Sequence, residues 1–525
     1  MKKYFYLFCW MMAVAGPVFP QKTPPIIPLP HTYGLSEGEF ILDENVGIIA
    51  EKGLATEGHY LQKELFRLAS LTLSTGKQQD NNVIHLMIDR GVQKGYELIV
   101  QNDRIEIKAG DNTGVFYGII SLLQLIQASD KEEGVYTLQT WSIQDQPAYD
   151  WRGLMLDESR HFFGVRKVKQ ILDWMAYYKL NKFHWHLTDA PGWRLEIKQF
   201  PKLALVGGVG NHTDPYAPAS YYTQEEIHDI VRYAEERKIE IIPEIDMPGH
   251  ATAANRAYPE YSGGGSERYP EFTFHPGKEE TYHYLSNILK EVDTMFPSNL
   301  IHLGGDEVSF GNERWPNDPE VKKLMAKENL KDLKAVEDYF FQRMADSLFV
   351  RGNKVLAWDE MAGASLPKDK SVMLWWRHDK EEQLHLALEN GYPTVICPRI
   401  PFYFDFVQEE SHQFGRKWDG AYSPLQAVYE FDVEKFNVKP EQENLILGLQ
   451  ANVWTETIHN ENRLDYMLFP RIAALSEAAW TLPEHRGFRE FMDRLPRHLE
   501  LYQTQGLYFY HPTDGEFHPE PIYRP

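Results

Sequence analysis

Cysteine is nearly absent from this chain: Cys9 and Cys397 are the two in 525 residues. Cys9 lies in an N-terminal segment expected to be removed, so Cys397 is left without a partner and no internal disulfide is possible. Paired Cys-x-x-Cys sequences are missing too, which excludes zinc sites of the ribbon or finger type. Past the N-terminus, no apolar run approaches the ~20 residues that a membrane helix needs. Positive charge is scarce, with 54 Lys and Arg set against 76 Asp and Glu for a net −22. A general nucleic-acid binder is thereby excluded, because such a protein needs a basic surface to displace counterions. The same field disfavours strongly anionic substrates unless a local basic pocket overrides it, so a neutral substrate is the simplest match. No repeat of fixed period and no low-complexity stretch stands out.

What is present begins with Met1-Lys2-Lys3 and an apolar run over residues 4–15 that ends in Ala13-Val14-Ala15. A positive start, a short apolar centre and small residues at a cleavage site read as a secretory signal peptide, assigned to residues 1–21. The expected location is therefore outside the cytoplasm of a bacterium, in the periplasm or secreted. The chain as a whole is 43% hydrophobic and 25% charged, an ordinary globular balance able to build a large core.

Residues 22–147 read as a small α+β domain. Strands are expected at 40–49, 83–88, 96–100 and 104–108, with Gln101-Asn102-Asp103 as a hairpin turn. Helices are expected at 57–70 and 114–127. From Trp151 the rhythm becomes strand, loop, helix, repeated. Candidate strands cover 153–156, 182–187, 240–243, 300–303, 354–357, 372–375, 394–397 and 445–449, with helical patterns between most of them. Alternation of this kind implies parallel pairing with right-handed crossovers. Eight units predict a (β/α)8 TIM barrel over residues 148–510, followed by a C-terminal tail at 511–525. An open doubly wound sheet is the alternative.

In such a barrel the functional residues sit just after the strands, at one face. Reading those positions gives Asp157 and Arg160-His161, Thr188-Asp189, Glu244, Asp246 and His250, then Asp306-Glu307, Trp358-Asp359-Glu360, Trp376-Arg377, Tyr403 with Asp405, and Trp454 with Glu456. The most informative is His302-Leu303-Gly304-Gly305-Asp306-Glu307. An apolar strand ends in two glycines, which permit a tight turn, and the turn frees both carboxylates to face one site, which a continuing strand would forbid. Paired carboxylates in a cleft are the usual equipment for hydrolysing a sugar linkage. Alone, the pair reads as a solvated acidic turn; its company of polar and aromatic strand ends points to a carbohydrate-processing pocket.

These segments resemble the glycoside hydrolase family 20 β-N-acetylhexosaminidases. The matching stretches are Arg152 to Asp157, His184 to Asp189 with Gly192-Trp193-Arg194, Pro248-Gly249-His250, His302 to Glu307, Trp358-Asp359-Glu360, and Gln450 to Glu456. The likeness extends to the small domain before the barrel. It implies an exo-acting, retaining hydrolase that removes terminal non-reducing β-linked N-acetylhexosamine (GlcNAc, GalNAc or both). The substrate's own acetamido oxygen serves as nucleophile, through an oxazolinium intermediate. Glu307 is then the general acid and later the base, and Asp306 accepts the acetamido N–H. Tyr403 holds the acetamido carbonyl. Asp189 and His250 form a relay that tunes Glu307. Trp358, Trp376 and Trp454 wall the sugar. Arg152 forks onto ring hydroxyls, and Asp405 and Glu456 accept from O4 and O6. No metal or cofactor is implied. The partner is an oligosaccharide or glycoconjugate with a terminal β-N-acetylhexosamine, with no nucleic acid and no membrane span after signal removal. The sequence specifies no oligomeric state.

Other readings stay open at this point. A conventional retaining glycosidase would use one of the two carboxylates as nucleophile. A metal-dependent hydrolase would use His184 and His186, which a strand places on one face. A disaccharide-releasing member of the family or a non-catalytic sugar-binding barrel would share most of the pocket. The loops 207–222, 258–274 and 310–330 are expected to shape the leaving-group side.

Overall fold

The computed structural model describes residues 22–76, 82–418 and 420–522. The expected signal segment at 1–21 lies outside the described residues.

The first unit is a mixed sheet with two helices, Ala55–Ala69 and Asn112–Ala128, packed side by side on it. The expected hairpin forms from Tyr96–Val100 and Arg104–Ala109, paired antiparallel. The single strand expected at 40–49 is instead two, Thr32–Leu42 and Gly47–Ala50. The break is local chemistry: the Asp43 carboxylate accepts the Asn45 N–H at 2.9 Å, an Asx turn that competes with the ladder. Val135–Asp145, a strand not anticipated, pairs with both Thr32–Leu42 and Tyr96–Val100.

The second unit is a closed barrel of eight parallel strands. They are β1 (Trp151–Asp157), β2 (Lys182–Thr188), β3 (Glu240–Ile245), β4 (Leu300–His302), β5 (Lys354–Trp358), β6 (Ser371–Trp375), β7 (Thr394–Ile396) and β8 (Ile446–Val453). Closure rests on β8 pairing with β1, from Gly448 opposite Trp151 to Val453 opposite Leu156, and this rules out the open sheet. The strands are almost wholly buried, as helices on the outside and packed side chains inside require. The surrounding helices follow ordinary rules. Gln224–Glu235, for example, starts at a Thr223/Glu226 capping box. Residues 511–522, expected as a tail, are laid on the barrel, where Glu520 accepts the Gln413 and Phe414 N–H groups and pairs with Arg463 at 3.1 Å.

A buried ion pair joins the two units. Lys179, in the turn before β2, meets Asp145 at 3.0 Å with both side chains fully out of water. Tyr96 Oη, Trp480 Nε1 and the His31 N–H also donate to the Asp145 carboxylate, at 2.6, 2.9 and 3.1 Å. Burial pushes the Lys179 ammonium toward deprotonation, and Asp145 opposes it. Replacing Asp145 by Ala leaves a buried cation uncompensated, a change that typically costs about 3–5 kcal/mol. Asp145→Ala is therefore expected to melt several degrees below wild type in a thermal scan; an unchanged melting temperature would refute the importance of this pair.

Candidate active site

The site is built at the carboxyl ends of the strands, and its centre is the turn after β4. Beyond His302 the chain stays tied to both neighbours. The Leu303 carbonyl accepts Met247 N–H, and the Gly304 carbonyl accepts Trp358 N–H, both at 3.0 Å. Gly304 and Gly305 then take φ of 68° and 90°. Side chains would be unwelcome for a second reason. A β-carbon at Gly304 would land on the Asp246 carboxylate, and one at Gly305 would sit 2.8 Å from Met361 Cγ. Glu307 itself has φ 53°, a left-handed conformation uncommon for a residue with a side chain.

The turn puts adjacent carboxylates in different surroundings. The Asp306 side chain is 11% exposed, whereas that of Glu307 is 33% exposed. Burial, and then the negative Glu307 beside it, raise the Asp306 pKa to about 7, with His250 pulling the other way. His250 turns Nε2 toward both carboxylates, 3.5 Å from Asp306 Oδ2 and 3.6 Å from Glu307 Oε2. Its Nδ1 is hydrogen-bonded to Asp189 Oδ1 at 2.9 Å. Burial alone would strip the His250 proton. Asp189, Asp306 and Asp246 outweigh it, and the pKa lies well above the usual histidine value. Asp189 is held well below the usual carboxylate range: burial raises it, but Arg160 and His250 more than offset that. The expected relay residues are thus brought together with the carboxylate pair.

Four aromatic side chains form one buried cluster beside them. Tyr403 stacks on Trp376 at 6.2 Å and lies 6.0 Å from Trp454, which is 6.0 Å from Trp358. Two of the indole nitrogens are anchored from behind: Trp358 Nε1 donates to Glu244 at 2.8 Å and Trp376 Nε1 to Glu360 at 3.0 Å. Strand alternation separates the neighbours Trp375 and Trp376, and Trp375 packs outside the barrel against Phe436. Asp405 and Glu456 stand together at the polar end of this cluster. Arg416 bridges them, 2.6 Å from Asp405 Oδ2 and 2.7 Å from Glu456 Oε1. One oxygen of each, Asp405 Oδ1 and Glu456 Oε2, is buried without a hydrogen bond among the described residues. Burial raises the Asp405 pKa to about 7 against the pull of Arg416.

Arg152 is the exception. It sits near the amino end of β1, at the face opposite the site, and every branch of its guanidinium is spent. Nε, Nη1 and Nη2 donate to Lys179 O, Tyr149 O and Tyr117 Oη at 2.7–2.8 Å. Its plane also lies 4.9 Å from the Trp480 ring. Five residues separate it from the strand's other end, roughly 17 Å at ~3.3 Å each. The arginine at the site is Arg160, on the loop after β1. It lies 2.7 Å from Asp189 and 3.9 Å from Glu456, with its guanidinium over Trp454 at 4.9 Å. The signal was available, because Arg160 follows the strand end and Arg152 precedes it. Three carboxylates without an assigned role also belong here. Glu244 is buried near the end of β3, Asp246 follows that strand, and Glu360 follows β5. Asp246 is 3% exposed, and its oxygens accept no hydrogen bond among the described residues.

Outside the aromatic cluster a groove of about 720 Å³ runs away from Glu307, past Phe310, Trp376, Arg377 and Arg399. Phe310 stacks on Tyr269 at 5.7 Å, so the loops 258–274 and 310–330 meet beside Glu307. The loop 207–222 goes elsewhere: His212 N–H donates to the Arg160 carbonyl and Thr213 contacts His161, on the arginine side. His184, Glu244 and His302 bring three donor atoms within 4.8 Å of one another, a spacing that could hold a cation. In this structure those atoms face one another at hydrogen-bond distance.

Comparison with known proteins places this geometry. Residues 149–483 match the model of the glycosyl hydrolase family 20 catalytic domain, and residues 23–146 match that of family 20 domain 2. A beta-hexosaminidase of Porphyromonas gingivalis is 32% identical over 506 residues; the alignment covers 93% of this chain and 64% of that protein. A beta-N-acetylhexosaminidase from Bacteroides fragilis superimposes with a TM-score of 0.80 at 32% identity, over 92% of this chain and 96% of that one. The exo beta-N-acetylglucosaminidase of Vibrio harveyi, solved with N-acetylglucosamine, gives a TM-score of 0.86 at 31% identity, over 95% of this chain and 80% of that one. By domain order, barrel and the residues gathered at its carboxyl face, the chain belongs to glycosyl hydrolase family 20.

Proposed function

We propose that this protein is an exo-acting β-N-acetylhexosaminidase that removes terminal N-acetylhexosamine with retention, by substrate assistance. One observation carries the reading: Asp306 is buried beside the aromatic cluster, while the adjacent Glu307 opens onto the groove. A sugar whose acetamido group lies against Tyr403 and Asp306 leaves its glycosidic oxygen facing Glu307. Glu307 protonates that oxygen, and the C1–O bond breaks with its electrons going to the leaving group. The acetamido carbonyl oxygen closes on C1, and Asp306 accepts the N–H of the oxazolinium. Glu307, now ionised, takes a proton from water. The water oxygen bonds to C1, and the oxazolinium C1–O bond opens. Arg160, rather than Arg152, meets the ring hydroxyls. Asp405 and Glu456 offer their free oxygens to O4 and O6.

The substrate class is a neutral oligosaccharide or glycoconjugate ending in β-GlcNAc or β-GalNAc, acted on outside the cytoplasm after removal of residues 1–21. Relatives bearing the beta-hexosaminidase name support the activity.

The test is kcat/KM on aryl β-glycosides of GlcNAc, GalNAc and plain glucose. The acetamido sugars alone are expected to turn over, and Glu307→Gln is expected to lose about 10²–10⁴-fold, the range for a positioned acid. Comparable turnover of the glucoside would remove the acetamido nucleophile and sink the proposal.

Arginine placement gives a second expectation. Arg160→Lys should lower kcat/KM at least tenfold, chiefly through KM, since a charged hydrogen bond is worth about 1.5–3 kcal/mol. Arg152→Lys should leave kcat/KM near wild type and lower the melting temperature. The reverse pattern would restore Arg152 to the sugar.

A third concerns pH. Asp306 must be ionised to accept the N–H, and its raised pKa means that form is lost as pH falls through about 7. The acid limb of kcat/KM is expected well above the ~3.9 of a free Asp, and a limb at or below pH 4 would contradict this assignment.

A further inference from the structure

Below the carboxylate pair lies a buried column of acids and imidazoles that the reaction as written does not use. From the top it runs His250, Asp189, His186, Glu244. His250 binds Asp189 Oδ1 at 2.9 Å, and Asp189 Oδ2 lies 3.0 Å from His186 Nε2. His186 Nδ1 makes a short contact with Glu244 Oε2. Glu244 Oε1 then accepts Trp358 Nε1, so the column ends on the wall of the aromatic cluster. The side chains of His186, Asp189 and Glu244 are no more than 1% exposed.

Geometry favours a charged His186. Each ring nitrogen faces a carboxylate oxygen, and Nε2 lies nearer to Asp189 Oδ2, at 3.0 Å, than to Arg160 Nη1, at 3.3 Å. A ring neutral at Nε2 would accept from Arg160 but turn the same lone pair on Asp189, and only the doubly protonated ring donates to both carboxylates. His184, two residues earlier on the same face of β2, is held the other way. Gln450 Oε1 accepts Trp151 Nε1 at 3.2 Å, which orients the amide, and Gln450 Nε2 then donates to His184 Nδ1 at 3.1 Å. That leaves one proton, on Nε2, which lies 3.0 Å from Glu244 Oε2 but makes no hydrogen bond among the described residues. Two histidines of equal burial thus carry different charge.

We propose that His186, held as an imidazolium between Asp189 and Glu244, is a positioning residue for Glu307, fixing Asp189 as the acceptor that aims His250 at the carboxylate pair. The inference rests on the function proposed above. His186 never touches substrate. It acts through Asp189 and His250, and its charge lowers the proton affinity of the carboxylates above it. The charged groups that face it are Glu244 from β3, Asp189 from its own loop, Asp246 from the loop after β3, and Asp157 and Arg160 from the end of β1. Arg160 is the opposing cation, 3.3 Å from Nε2. Burial would by itself deprotonate the ring. Glu244, the hydrogen bond to Asp189 and the more distant Asp157 prevail, and its pKa is raised well above the usual value. Burial lowers that of His184 to about 4.

The pair supplies its own control. With the full-length enzyme and an aryl β-N-acetylglucosaminide, kcat/KM is followed from pH 3 to 9 for wild type, His186→Gln and His184→Gln. Removing the His186 cation leaves the cluster more negative, so both limbs should move to higher pH. The expected displacement is about one unit, the order of one buried charge at an effective dielectric constant of about 20. His184→Gln deletes an equally buried but neutral ring, and its limbs should stay in place even if it melts earlier. Equal displacement in both variants, or none in His186→Gln, overturns the proposal. No turnover by wild type would instead overturn the assigned activity. A second readout needs no variant activity: ¹⁵N spectra of histidine-labelled wild type should show His186 doubly protonated at pH 8 and His184 neutral. A neutral His186 at that pH would count equally against the idea.

Discussion

A carboxylate removed from water must find a partner, and that requirement organises this molecule more than any other. The surface carries the excess negative charge in solvent, where each acid costs little. Among the described residues most buried acids are paired with a cation or an imidazole. Asp145 takes Lys179, Glu477 takes Arg494, and Asp189 takes Arg160 with two histidines. The first two pairs tie the small domain and the last helix to the barrel; the third prepares the site. Such pairs are weak evidence of net stability, because desolvation offsets much of the attraction. What they do supply is a unique arrangement, since breaking any one leaves a bare charge.

The few acids that escape this rule mark the chemistry. Asp246, Asp306 and Asp405 are buried with oxygens left unpartnered, and burial raises the proton affinity of each. Perturbed carboxyls in a cleft are what a working site looks like. Backbone strain is present at the site as well. His250 and Glu307 both hold φ near +55°, a conformation that costs about 1–3 kcal/mol where a side chain is present. The strain is borne by the relay histidine and by the acid it faces, and the ties to β3 and β5 hold the turn in place.

Much of this was legible in the sequence because the barrel imposes two simple periodicities. Runs such as Leu154–Leu156 are continuous and apolar, Phe183–Leu187 alternates large apolar residues with histidine, and helices alternate with the strands, so all eight could be counted. The rule that function follows the strand ends located Asp189, His250, Asp306, Glu307 and the aromatic cluster. The same rule pointed to Arg160, and a motif match that began one strand-length too early pointed to Arg152. Residues whose importance comes from neighbours distant in sequence were harder to read. Arg416 matters only because the loop after β7 carries it back to Asp405 and Glu456. His186 resembles half of a metal pair until Glu244 is placed against it. In the small domain, Asp43-Glu44-Asn45 breaks the run 40–49 with an Asx turn, a turn signal that a reading of the flanking apolar residues passes over.

The contrast between adjacent carboxylates follows from these constraints. In the reaction proposed above, Glu307 gives and takes a proton in each turnover and so needs a route to water, whereas Asp306, orienting an amide, needs to be shielded from it. In a continuing strand the two side chains would be divided between interior and exterior, and one would be lost to the pocket. The double-glycine turn removes that alternation. It keeps Asp306 against the barrel interior, and the left-handed step at Glu307 swings the next side chain to the groove. His250 then touches both, at 3.5 and 3.6 Å, so that one imidazole supported by Asp189 senses the charge of each. Solvation distinguishes the two acids and the shared histidine couples them. That combination gives neighbouring residues of similar chemistry distinct surroundings in one pocket.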